Sequence, residues 1–214
     1  LVPLLARNGR PLPDISRQES DAESVVLEPD GSLIVGFEAN HRIVSYPADG
    51  RKPAIVPAPP SLQDAPGNAG LEGLLRLKDG RLLAITEGLA VDGGLRGWIG
   101  DGKAGGWQPV VWRTSGGFVP TDAARLPTGD VLVLERRFPP VGARLRRLSA
   151  EAIAPGAVLD GLEIARLEGA LTVDNMEGID AQRGPSGETL VWLISDDNYS
   201  FLQRTLLLHF RLLD

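Results

Sequence analysis

The stretch GLEGLLRLKDGRLLAITE, residues 70–87, reads as a β-hairpin with an acid near each open end. Two apolar runs, Leu74-Leu75 and Leu82 to Ile85, flank Asp79-Gly80, a pair suited to the backbone of a tight turn. Glu72 and Glu87 bound the unit. The same design recurs three more times. One copy runs from Glu23 through Val25-Val26-Leu27, a turn at Asp30-Gly31 and Leu33 to Phe37, to Glu38. Another runs from Asp122 past Thr128-Gly129 to Glu135, and the last from Glu177 past Ser186-Gly187 to Asp196. The first acids stand at 23, 72, 122 and 177. A period of about 50 residues suits a propeller blade and is too long for most solenoids, so the fold expected is all-β, a β-propeller with four recognisable blade hairpins.

Composition agrees. Of 214 residues 43% are hydrophobic, and 26 glycines and 17 prolines punctuate the apolar runs along the whole chain. That length suits one domain with a core, expected over residues 1–214. The absence of cysteine excludes disulfides, thiolate nucleophiles, Cys-type zinc sites and iron–sulfur clusters. Two histidines, His41 and His209, leave little for a His-rich metal site. A formal charge of −6 argues against a nucleic-acid partner. No apolar run approaches the roughly 20 residues that span a bilayer.

Within each hairpin the two acids are equidistant from the turn: Glu23 with Glu38, Glu72 with Glu87, Asp122 with Glu135, Glu177 with Asp196. Residues so placed are expected to face each other across an antiparallel ladder. Directly opposed like charges destabilise a sheet, and apolar neighbours on the same face add a desolvation cost. A bound cation, nearby arginines or a shared proton can each offset it. The innermost strand of each propeller blade lines the central channel, so these carboxyls are expected at one mouth. That mouth would be a negative funnel suited to calcium. The candidate ligands are Glu23, Glu38, Glu72, Glu87, Asp122, Glu135, Glu177, Asp196 and Asp197.

Asp196-Asp197-Asn198 is the best local pattern for hard-metal ligation, and an Asx-rich turn would look the same. Arg42, Arg136 and Arg204 lie near the second acids, as counter-ions or as binders of phosphate or carboxylate. His41 follows Glu38 by three residues and shows no orienting partner for general-base work. His209 alternates with leucines and reads as structural. Residues 100–105, GDGKAG, match GxGxxG without the strand and helix of a dinucleotide site, and read as a loop. Residues 57–70 and 91–107 also read as long loops.

With these residues assembled, the chain resembles the bacterial phytase-like family, a β-propeller domain described as having esterase-like activity of phytase. The resemblance is carried by Asp21-Ala22-Glu23, Phe37-Glu38 with His41-Arg42-Ile43, and Gly70-Leu71-Glu72-Gly73-Leu74 with Thr86-Glu87. It continues through Pro120-Thr121-Asp122 to Glu135-Arg136. Its most specific element is Asn175-Met176-Glu177-Gly178-Ile179, followed by Ser195-Asp196-Asp197-Asn198 and Gln203-Arg204. The resemblance implies a periplasmic or secreted bacterial protein and a small-molecule ester or phosphate substrate. Family members carry at least one further repeat ahead of the position of Leu1, so an incomplete ring is expected as the alternative to a closed one. On this reading Glu177 and Asp196 are catalytic and, with Glu72, hold calcium. Arg136 or Arg204 steadies the oxyanion, while His41, Arg42 and Asn198 contact the substrate. Two other readings stay open: a non-catalytic binding module with an acidic mouth, and a structural carboxylate–arginine network.

Overall fold

The structure, a computed structural model, describes residues 3–12 and 16–213. Blade 1 is β1 (Ala22–Leu27), β2 (Leu33–Phe37), β3 (Arg42–Tyr46) and β4 (Ala54–Val56), in that order across the sheet. Blade 2 is built from β5 (Leu71–Arg76), β6 (Leu82–Val91), β7 (Gly94–Gly100) and β8 (Gln108–Trp112). Blade 3 starts with β9 (Val119–Arg125), β10 (Val131–Arg137) and β11 (Gly142–Leu148). The chain then visits the outer edge of blade 2, where β12 (Val158–Leu159) pairs in parallel with β8, before β13 (Leu162–Glu168) completes blade 3. Blade 4 is β14 (Met176–Arg183), β15 (Thr189–Ser195) and β16 (Leu207–Leu212). The protein is an all-β, four-bladed propeller. Helical structure among the described residues is confined to short turns at Arg17–Ser20, Pro60–Asp64 and Ala150–Ala152.

The innermost strands β1, β5, β9 and β14 line one channel of about 740 Å³. β1 packs on β5, β5 on β9, and β9 on β14. Val26, Ile34, Leu74 and Trp98 fill the first seam. Ile85, Trp112, Ala123 and Val133 fill the second, and Leu132, Leu134, Ile179 and Leu193 the third. Burial of a large apolar side chain stabilises by about 1.5–3 kcal/mol, so these seams hold blade against blade. Between β14 and β1 the described residues form no comparable seam, and Val25, Leu27, Ile194 and Leu207 stay exposed.

The turns set the register. In each inner hairpin a backbone N–H donates to a carbonyl four residues on: Glu28 to Ser32, Leu77 to Arg81, Leu126 to Asp130, and Gly184 to Glu188. The enclosed three-residue loop ends on a glycine at positive φ (Gly31, Gly80, Gly129, Gly187), a conformation that a β-carbon opposes. The mirror centre therefore falls on the residue before that glycine. A bulge then adds one residue to every inner strand, and the pairing skips Glu23, Glu72, Thr121 and Glu177. These two shifts correct the expectation that the acids oppose one another directly. Glu38 lies opposite Asp21, Glu87 opposite Gly70 and Asp196 opposite Asn175. Asp122 pairs with Leu134, and Glu135 with Pro120. The loop expected over residues 91–107 is also corrected, since β6 continues to Val91 and turns through Gly93 into β7, leaving residues 101–107 as the loop.

Blade 3 contains a fully buried acid. Glu135 accepts from Trp112 Nε1 at 2.8 Å and from Arg144 Nε, while Arg146 Nη1 stands 3.6 Å away. Removing one partner of a buried pair strands the other charge, so Glu135→Ala is expected to lower the unfolding free energy by about 3–5 kcal/mol. A urea titration measures it. A loss below about 1 kcal/mol would show that Arg144 is satisfied without this acid.

Candidate functional site

Because a bulge recurs at one point of each inner strand, it defines two sets of equivalent positions at the pole where the hairpins open. The bulge residues are Glu23, Glu72, Thr121 and Glu177. The second set lies on the neighbouring strand, opposite the residue two before the bulge: Glu38, Glu87, Arg136 and Asp196. Bulges re-aim side chains and interrupt pairing, which lets three glutamates leave their ladders and share the channel mouth. Blade 3 breaks the pattern twice, with threonine in the first set and arginine in the second.

Glu72 feels the charge of Glu23, Glu38, Glu87 and Glu177, and Asp21 acts on Glu23 and Glu38. Burial, then repulsion from Glu23 and Glu38, pushes the Glu72 carboxyl up to about 10. Burial, then Glu38 and Asp21, raises Glu23 to about 7, and the Glu23 and Glu38 carboxyls share a hydrogen bond. Glu177 also rises to about 7, chiefly through burial and against the pull of Arg136 and Asn175. Burial raises Glu38 as well, opposed by the Gly70 N–H, 3.3 Å from its Oε1. Arg136 answers this charge. It donates from Nη2 to Glu87 Oε1 at 2.8 Å and from Nη1 to Asn175 Oδ1 and Glu177 Oε1. Asn175 Nδ2 in turn donates to Glu177 Oε1 at 2.6 Å.

Asp21, Glu23 and Glu38 each offer an oxygen within 4.8 Å of the others. Oxygen donors so grouped fit a hard cation such as calcium, and no thiolate or imidazole stands among them to favour a softer metal.

The remaining candidates have other partners. Asp122, one residue past its bulge, enters the channel wall, where it accepts from the Ile179 N–H at 2.8 Å and the Ala123 N–H at 2.7 Å. It ties β9 to β14, and burial pushes it up to about 7. Glu135 belongs to the ion-paired interior of blade 3 and not to the mouth. Asp196 accepts from the Asn198 N–H at 3.1 Å, and Asp197 from the Tyr199 N–H and Thr205 Oγ1, so both close turns. Arg42 is buried; it donates to the Leu5, Asn40 and Glu19 carbonyls, stacks on Phe37, and fastens the N-terminal segment to blade 1. His41 lies buried with Nε2 3.2 Å from the Ala65 carbonyl, against Gly70, where a β-carbon would fall 2.5 Å from the ring. His209 stacks on Trp192.

Three participants escape a search for paired acids. Asp21 and Asn175 each stand two residues before a bulge glutamate, and that shared offset is their only local signal. Thr121 donates to the Met176 carbonyl at 3.0 Å in the position its counterparts fill with glutamate.

A cavity of about 960 Å³ opens beside the mouth. Glu87, Arg136 and Asn175 line its inner end, and Phe138, Leu202 and Arg204 are also on its wall. Arg204 is exposed, with Nε 3.7 Å from Asp174, and Asn198 Nδ2 donates to Gln203 Oε1 at 3.3 Å.

The family model for phytase-like proteins, described as esterase-like activity of phytase, matches residues 1–199. The chain belongs to the phytase-like family. No curated protein matches it. Among solved structures it is similar to virginiamycin B lyase from Staphylococcus aureus, with a TM-score of 0.51 and 14% identity over 88% of this chain and 54% of that one. A putative gluconolactonase gives 0.51 and 14% over 93% and 64%. A protein of unknown function from Dyadobacter fermentans gives 0.50 and 17% over 81% and 62%. These likenesses concern the propeller fold. The phytase-like chain spans 54% to 64% of the length of the three.

The raised carboxyls tie stability to pH. A group whose folded pKa exceeds its unfolded value contributes stability that is complete below the unfolded pKa and is lost as pH rises through the folded one. Glu23 and Glu177 cover the window from 4.5 to about 7, and Glu72 the window from 4.5 to about 10. With chelator present, the melting temperature of this phytase-like protein is expected to fall steadily from about pH 5 to about pH 9, and Glu72→Gln to flatten the upper half of that decline. A profile flat across the range would show that these carboxyls ionise without cost.

Proposed function

We propose that this chain is a calcium-dependent hydrolase of phosphate or other esters, acting in the periplasm or outside the cell on a small-molecule substrate held at the channel mouth. The observation that carries the proposal is the gathering of Asp21, Glu23, Glu38, Glu72, Glu87 and Glu177 at one pole, beside a cavity of ligand size, with Arg136 as counter-ion. Such crowding is unfavourable in itself, and a cation offsets it. Family membership points the same way.

Asp21, Glu23 and Glu38 would hold the cation, with Glu72 behind them. When bound, calcium supplies Lewis acidity towards a phosphoryl or carbonyl oxygen. The chain's own residues do the rest. Glu177, poised near 7, exchanges a proton with water and the leaving alcohol at neutral pH. Arg136 and Asn175 hold its carboxyl in place from two sides. Arg136, on the cavity wall, also puts positive charge where the oxyanion develops. In the net step a water oxygen bonds to phosphorus or acyl carbon and the ester bond to the alcohol oxygen breaks. One water proton ends on the alcohol and the other leaves the acid product. Asp196, His41 and Arg42 have no part in this step, because Asp196 closes a turn and the other two are buried against backbone carbonyls.

Calcium titrated into the chelated protein at about pH 6 is expected to release protons, since Glu23 and Glu72 would ionise as the cation binds, and to raise the melting temperature. p-Nitrophenyl phosphate or p-nitrophenyl acetate should turn over with calcium and not in chelator. Glu177→Gln is expected to cut kcat by about 10²–10⁴-fold while the calcium-induced rise in melting temperature persists. A rise without turnover of either ester would support the second reading, a cation-stabilised binding module. That reading is favoured by the bridge Arg136 already makes between Glu87 and Glu177.

A further inference from the structure

We propose that the cavity beside the carboxylates takes an anionic amphiphile: an ester with one phosphate or carboxylate group and a compact apolar body. This deepens the hydrolase reading above and rests on it. Two loops build the outer part of the cavity, one after β10 in blade 3 and one between β15 and β16 in blade 4. From the first comes Phe138, 77% exposed, with Val141 beside it; from the second comes Leu202, 78% exposed. Val119 and Val173 continue the apolar wall inward. Next to the cavity, Tyr199 and Phe201 stand almost wholly in water. Large apolar side chains exposed together at the rim of a pocket, and not scattered singly, mark a surface that is covered when a ligand binds.

The polar side of the same cavity selects charge. Arg136 is occupied by Glu87 and Glu177, and Arg137 by Glu168 at 3.2 Å and the Gly116 carbonyl. Arg204 differs. Its side chain is 63% exposed, its nearest carboxylate is 3.7 Å from Nε, and neither Nη bonds to another described residue. A planar fork left open in this way matches the oxygens of a phosphate or carboxylate. The loop that presents it is held in one shape: Asn198 and Tyr199 both have positive φ (48° and 55°), braced by the side chains of Asp196 and Asp197. Left-handed non-glycine residues in succession persist where surrounding bonds over-determine them, and they cluster at ligand clamps. With the anion on Arg204 and the apolar body against Phe138 and Leu202, the ester bond faces Glu87, Arg136 and Asn175 at the inner end. A cavity of about 960 Å³ accommodates a body of drug-like size.

Unreactive probes test the ligand class apart from catalysis. Isothermal titration with calcium present is expected to show hexylphosphonate binding at least tenfold more tightly than methylphosphonate or hexanol. Arg204→Ala and Leu202→Ser should each weaken hexylphosphonate at least fivefold without moving the melting temperature, because both side chains are exposed. Equal affinity for the methyl and hexyl compounds, or wild-type affinity in both variants, would overturn the proposal. So would binding to phosphatidic acid vesicles without binding of monomeric hexylphosphonate, which would make the patch a membrane-docking surface. Hexylphosphonate bound as expected with no ester turned over would sink the hydrolase reading and leave the ligand class standing. Turnover of p-nitrophenyl acetate without hexylphosphonate binding would do the reverse.

Discussion

Repulsion among carboxylates at the channel mouth is the constraint on which the remaining architecture depends. Glu72 is buried, and Glu23, Glu38, Glu87 and Glu177 surround it, so separating the blades would relieve charge. The three packed seams oppose that tendency with apolar burial, and Asp122 adds a direct strap from β9 to β14 through the Ile179 N–H. Arg136 draws Glu87 of blade 2 and Glu177 of blade 4 towards blade 3. One guanidinium thus neutralises charge and joins three blades.

Blade 3 departs from its neighbours in a way that explains the asymmetry of the mouth. Its two acids are displaced by one position each, both towards the turn of the hairpin. Asp122 falls after the bulge and becomes part of the wall; Glu135 falls before the outer position and turns inward, where Arg144 of its own blade and Trp112 of blade 2 bind it. The vacated positions hold Thr121 and Arg136. The same pair of residue types therefore meets three environments in one molecule: a crowded mouth, a channel strap and an ion-paired interior. Local backbone register decides among them.

The hairpins themselves were legible because their signals are local. Period-two apolar runs and a glycine at each turn suffice to mark four ribbons, and a repeat of about 50 residues suffices to suggest a propeller. The gathering of Glu23, Glu38, Glu72, Glu87 and Glu177 was legible in kind, since an acid at the same end of every inner strand must approach the same pole. The pairing was not. It depends on a three-residue loop and on a bulge whose occupant is glutamate in three blades and threonine in the fourth, so residue type alone does not reveal it. Using acids as markers placed blade 3 one residue out of phase.

Arg42 and Glu135 show the same limit from another side. Their partners, Leu5 and Glu19 for the first and Trp112 and Arg146 for the second, are contributed by segments distant in the chain or on other strands, and no spacing rule links them. By itself the sequence determined the all-β propeller, the turns, and an acidic pole, because alternation, glycine placement and charge are properties of short segments. Only the tertiary structure decided which carboxylates meet, which arginine joins them and which loops wall the cavity. Those outcomes turn on shifts of a single residue in strand register and on the rotation of one blade against the next.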